Sequence, residues 1–191
     1  MNSTKRRLLI VALLVAILAI SGMGTLAYFT AEDTAHNVIT SGGIDIELQE
    51  WADKDKTQPF PEDGVTGVMP GTSVTKIAEV KNTGTGTAWV RVSVAKSIQL
   101  KDAPDGTAAD LSLLVLDIDT TKWTEKDGWY YYNEMLQPGD TTPPLFTAVS
   151  FSENMPNLYQ EATAKIDVKA QAVQAANNGD TVLEAAGWPA D

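Results

Sequence analysis

The sequence predicts an all-β domain, a two-sheet antiparallel sandwich with short helical turns, placed outside the cytoplasm by an N-terminal export segment. Three observations predict the fold. Apolar residues recur at every second position in several short runs, proline and glycine clusters separate those runs, and no long amphipathic helix interrupts them. An immunoglobulin-like order and a jelly roll both satisfy seven or eight such strands.

Export is read from the first residues. Lys5-Arg6-Arg7 precedes an unbroken apolar core from Leu8 to Ile20, and Ser21 to Ala27 follows with small residues at Thr25 and Ala27. That order of charge, apolar core and small-residue cleavage site is a signal peptide over residues 1–27, cut before Tyr28. The stretch also lacks charge until Glu32, and about 20 apolar residues span a bilayer, so an uncleaved anchor is the competing reading. The short core and the glycines near the cut favour cleavage.

Charge then excludes some functions. The segment carries three of the 14 basic residues and none of the 25 acidic ones, so a chain from Tyr28 has 11 against 25, a formal charge of −14. A polyanion of this kind repels nucleic acid phosphates. The chain has no cysteine, which removes disulfides, thiol catalysis and sulfur-bound zinc together.

Residues 28–42 read as a flexible N-terminal arm with Tyr28, Phe29 and Thr30 at its tip, and residues 43–191 as the sandwich domain. In the first strand Ile44, Ile46 and Leu48 face the core. Ala52 to Gly71 is a long loop, with room for a hidden strand at Gly67 to Met69. Asn82 to Gly86 separates Val74–Val80 from Ala88–Ala95, which predicts an antiparallel pair, and Val90, Val92 and Val94 form the inner face of the second run. The Trp89 ring covers the edge of the core.

Leu111 to Asp119 reads as a strand, and Trp123 to Asp127 as a polar connection turning at Asp127-Gly128. Trp129, Tyr130, Tyr131 and Tyr132 then put rings on both faces of a strand, so one face lies under a loop or forms an exposed aromatic patch for a partner. Leu145, Thr147, Val149 and Phe151 share a face, and Asn154 to Tyr159 contains one helical turn. The clearest period is last: Ala162 to Ala172 is apolar at alternate positions, which places Ile166 and Val168 in the core of a long strand. Asp180 is positioned to cap a short helix, Thr181 to Ala186.

Catalytic patterns are mostly absent, and the expectation is that the chain is no enzyme and needs no cofactor. The one histidine, His36, lies in the arm, so neither a two-histidine zinc site nor a serine–histidine–acid triad can be assembled in the usual way. Asp53-x-Asp55-x-Thr57 and Asp117-x-Asp119-x-Thr121 have the alternation of a calcium loop, but Gln58 and Lys122 stand where its glycine belongs. No metal site is expected.

One resemblance runs along nearly the whole chain. It is carried by Gly24 to Thr30, Asn37, Ser41 to Leu48, Pro70-Gly71, Val80 to Gly84, Trp129 to Tyr132, Pro138 to Phe146, Asn157 to Gln160 and Ala170 to Gln174. In this order and spacing they resemble the TasA and camelysin family of secreted Gram-positive proteins. The resemblance implies a jelly roll, cleavage by a specialised signal peptidase, and a place in extracellular matrix or surface fibres. There one subunit's N-terminal segment adds a strand to the next copy. Implied partners are the chain itself, related matrix proteins or cell-wall polysaccharide. Some members carry a metalloprotease label, which the missing ligand histidines do not support here. A monomeric cell-surface glycan-binding module using the aromatic run is the alternative.

Mass spectrometry of exported protein tests the processing. The expected mature chain begins at Tyr28, and a retained Lys5-to-Arg7 peptide contradicts it.

Overall fold

Alternating burial along the chain resolves into eight strands in the computed structural model, which describes residues 43–61, 69–101, 104 and 106–190. The predicted signal peptide, its cleavage positions Thr25, Ala27 and Tyr28, and the arm 28–42 with Phe29, Thr30 and His36 lie outside the described residues. The strands are β1 (Ile46–Trp51), β2 (Ser73–Asn82), β3 (Ala88–Gln99), β4 (Leu114–Leu116), β5 (Trp123–Lys126), β6 (Trp129–Tyr132), β7 (Phe146–Phe151) and β8 (Thr163–Gln174). They form two antiparallel sheets of four, ordered β1-β2-β7-β4 and β5-β6-β3-β8. Two 3-10 turns, Leu111–Leu113 and Asn157–Tyr159, are the only helical elements among the described residues.

One core draws on both sheets. Ile44, Ile46, Ala78, Val80, Leu114, Phe146, Val149 and Phe151 come from the first sheet and its approach; Val90, Val92, Trp123, Tyr132, Ala164, Val168, Ala170 and Ala172 come from the second. Of the residues expected inside, Ile44, Ile46, Val90, Val92 and Val168 are buried, whereas Leu48, Val94 and Ile166 are half-buried against the same cluster. The long period-two strand is present as β8, paired with β3 over twelve positions from Ala88↔Gln174 to Gln99↔Thr163.

The expected pairing of β2 with β3 does not occur, because the two strands belong to different sheets. Asn82 to Gly86 is a crossing between layers. The Asn82 amide donates to the carbonyls of Gly86 and Leu136, and its oxygen accepts from Gly84 N–H at 3.0 Å. Gly84 packs so tightly against the start of β1 that a Cβ would lie 2.5 Å from Asp45 N and 2.6 Å from Gly43 O. The glycine is therefore required by a close backbone approach.

Other expectations are corrected by local geometry. Leu111 to Asp119 is not one strand; Asp110 accepts from Ser112 N–H and holds a 3-10 turn, and only Leu114–Leu116 pairs. Trp123–Lys126 is a strand despite its polar composition, because it closes a hairpin on β6 through Asp127 (φ 53°) and Gly128 (φ 79°), both left-handed. On β7 Val149 and Phe151 are buried as expected, but Phe146 is buried as well and Thr147, expected inside, is exposed. Between Thr75↔Ala148 and Ala78↔Phe146 the β2 partner advances three residues for two, and this bulge breaks the alternation. Thr181 to Ala186 forms turns and no helix, and Asp180 N–H donates to Glu184 Oε2 at 3.1 Å. The hidden strand considered at Gly67 to Met69 falls outside the described residues except for Met69, which is in no strand.

Phe146 is fully buried between the layers. Phe146→Ala is expected to cost about 3–5 kcal/mol in urea unfolding through lost transfer energy and a cavity. Lys165→Ala, on the solvated side of β8, is expected to be nearly silent. Equal effects would contradict the assigned faces.

Candidate functional site

The surfaces available for recognition are the outer faces of the two sheets and the strand edges. On the second sheet, period two sends Trp89, Arg91, Trp129, Tyr131, Gln171 and Val173 outward, and there they meet the C-terminal segment. Trp89, Trp129, Tyr131, Val173, Ala175 and Val182 form a second buried cluster, with Ala185 and Trp188 packed on it. The Arg91 guanidinium lies between two rings, 4.1 Å from the Trp129 centroid and 4.7 Å from that of Trp188. It donates to Gln171 Oε1 from Nε at 2.9 Å and from Nη2 at 2.6 Å, and Nη2 reaches the Pro189 carbonyl at 3.4 Å. The Trp89 indole N–H donates to the Asn178 carbonyl at 3.0 Å. Burial and fixed geometry strengthen cation–ring contacts of this kind.

That arrangement corrects the expected aromatic patch. Trp129, Tyr131 and Tyr132 are each 7% exposed, and Tyr130 is half-buried. Trp129 and Tyr131 are covered by the chain's own C-terminal residues, while Tyr130 and Tyr132 turn inward, with Tyr132 in the main core. Trp89, expected at the edge of the core, belongs to this second cluster. The apolar residues that cover the rings, Val182 and Trp188, are scattered among polar ones and carry no period, so the strap was not visible as an element.

The first sheet buries charge under the loop after β1. Lys76 is 2% exposed, its ammonium 2.5 Å from Glu50 Oε1 and 3.8 Å from the centroid of the Phe60 ring above it. Burial pulls its pKa below the ordinary lysine value, and Glu50 opposes that pull. Glu79, also buried, accepts from Trp51 Nε1 at 3.1 Å and pairs with Lys56 at 2.5 Å. Phe60 N–H donates to the Glu50 carbonyl at 2.9 Å, so the loop is stitched to the outer side of β1. A buried lysine with its carboxylate is a paired charge, held here between Glu50 and the Phe60 ring.

The β4 edge is the most lightly built. β4 has three residues, and beyond it the Asp117 carboxylate substitutes for a strand by accepting from Thr147 N–H at 2.8 Å, Thr147 Oγ1–H at 2.5 Å and Ala148 N–H at 2.7 Å. Partial burial pushes this carboxyl up, but the three donors outweigh it and hold the pKa below the ordinary aspartate value. Val115 on β4 is 51% exposed and Leu111 just before it 40%. Among the described residues no group of three or more histidine, aspartate or glutamate side chains is placed to hold a metal ion.

Comparison with family models, with curated proteins and with solved structures finds no match.

A lowered folded pKa means that the contribution of Asp117 is present above the unfolded aspartate value and is lost as pH falls through the folded one. Asp117→Asn is expected to lower stability at neutral pH, with the gap to the parent closing below roughly pH 4. A gap that persists unchanged in acid contradicts the assignment.

Proposed function

We propose that this chain is a secreted structural subunit of extracellular matrix or surface fibres, assembling head-to-tail through N-terminal strand donation. The observation that carries the reading is the combination of open-ended sheets with a covered aromatic face. Each four-stranded sheet ends in two edge strands, and edges offer main-chain groups to an extended segment. The rings that would have made a glycan platform are occupied by the chain's own C-terminal segment, which weighs against the monomeric binding module.

The fold is read further as jelly-roll type. Support comes from the sequence-distant pairings β2·β7, β3·β8, β3·β6 and β4·β7, which interlock the two layers as paired Greek keys do. Only the edge strands depart from that order, with β1 and β5 joined to β2 and β6.

Tyr28-Phe29-Thr30 supplies apolar anchors, and Val38-Ile39-Thr40 is a β-branched run suited to pairing. Donor and acceptor surfaces differ, so the contact can propagate without closing. A charge of −14 from Tyr28 onward opposes approach, and assembly is therefore faster in salt or mild acid. The exported product acts outside the cell, with a specialised signal peptidase, related matrix proteins and wall polysaccharide as possible contacts and nucleic acid excluded by charge.

Deletion of residues 28–40 tests the reading. The expected product is a monomer with native-like circular dichroism that forms no fibres in salt or acid. Polymerisation at the full-length rate contradicts it.

A further inference from the structure

The segment that covers the outer face of the second sheet is latched at Asn178. This residue lies just past β8, where the chain turns back over Trp89, Trp129 and Tyr131, and both polar atoms of its side chain are engaged. Nδ2 donates to the Gln174 carbonyl at 2.9 Å and to the Ala186 carbonyl at 3.0 Å, while Oδ1 accepts from Ala186 N–H at 2.9 Å. The Asn178 main-chain carbonyl takes the Trp89 indole N–H at 3.0 Å. One asparagine thus ties together the end of β8, the returning segment and a ring of the covered face. Beyond Ala186 the segment sets Trp188 edge-on to Tyr131, with ring centroids 5.8 Å apart.

The residue after the latch has to be glycine. Gly179 has φ 82°, and a Cβ there would lie 3.0 Å from both the Cβ and the carbonyl carbon of Glu184. Latch and turn together impose Asn178-Gly179, the one Asn-Gly pair in the chain, and in that pair asparagine is chemically least durable. No side chain hinders the Gly179 nitrogen, and its N–H has no hydrogen-bond partner among the described residues. After loss of that proton to solvent the nitrogen attacks Asn178 Cγ. The new N–C bond closes a succinimide, the Cγ–Nδ2 bond breaks, and the amide nitrogen takes up a proton and leaves as ammonia. Water then opens the ring at one of its two carbonyls, giving aspartate or isoaspartate; no oxidant or reductant takes part.

We propose that Asn178 is a self-modification site whose deamidation releases the C-terminal cover. Aspartate at this position loses both Nδ2 donors and sets a carboxylate against the Gln174 and Ala186 carbonyls, acceptor against acceptor. Isoaspartate adds a methylene to the main chain and moves the returning segment off its seat. While the latch is closed, two carbonyls hold the leaving nitrogen, so the ring closes when the segment opens locally. Each conversion is one-way, and released molecules accumulate with age. The surface uncovered is the apolar face of Trp89, Trp129 and Tyr131 around Arg91. Release is independent of the strand-donation reading, since no sheet edge takes part.

The test ages the full-length exported protein in warm, mildly alkaline buffer and maps its peptides. Asn178 is expected to convert ahead of every other asparagine, with the mass gain of an amide replaced by an acid. In the converted fraction the amides of Glu184, Ala185 and Ala186 are expected to lose hydrogen-exchange protection by about tenfold to a hundredfold. Tryptophan emission should shift to the red as Trp129 and Trp188 meet water, with the β3–β8 ladder amides unchanged. Asn178→Asp is expected to show the loosened segment from the start. Asn177→Asp adds the same charge one residue away, at an exposed position, and is expected to keep the cover closed. The aged parent supplies the same comparison if Asn178→Asp does not fold. Conversion of other asparagines while Asn178 stays intact overturns the modification site. Protection of residues 184–186 at the parental level in the converted or Asn178→Asp protein overturns the latch.

Discussion

The ladder between β3 and β8 is the interaction on which the rest of this domain depends. It pairs twelve residues of each strand in unbroken register and joins the middle of the chain to its end. A chain without cysteine has no covalent closure, so sheet pairing and packing must hold those distant segments together. Because side chains alternate, one register fixes two surfaces at once. Val90 and Val92 with Val168, Ala170 and Ala172 enter the main core, while Trp89 and Arg91 with Gln171 and Val173 build the outer face. A slip of one residue would exchange them and send Arg91 into the core, a cost that specifies the register strongly.

From this ladder follows the division between closed and open surface. The outer face of the second sheet is apolar enough to need a cover, and the C-terminal segment supplies one through Val182 and Trp188. The first sheet instead buries Lys76 and Glu79, and burial of those charges is tolerable because Glu50 and the Phe60 ring meet the lysine while Lys56 and Trp51 meet the glutamate. Both covers are segments adjoining strands, and the loop after β1 also bonds the outer side of that edge strand.

Much of this was legible in the sequence, for reasons specific to each segment. β8 showed because one face is solvated and the other buried, which imposes period two. β5 was hidden because only Trp123 of its four residues is buried, and its strand character comes from the hairpin turn at Asp127-Gly128. The pairing of β2 was misread because short punctuation suggests a hairpin, whereas Asn82 and Gly84 serve a crossing whose partners, Asp45 and Leu136, are far away in sequence. The aromatic run was legible as rings on both faces. What covered them was not, since a strap without regular structure leaves no periodic trace. Thr147 was placed inside because a bulge in the partner strand cannot be seen from β7 itself.

Hydrogen exchange, followed amide by amide in the monomer and in the assembled state, tests the edge account most directly. On the strand-donation reading, amides of an edge strand should exchange quickly in the monomer and become protected on assembly, while amides in the β3–β8 ladder stay slow in both. Assembly that leaves every edge-strand amide exchanging as fast as in the monomer would contradict it.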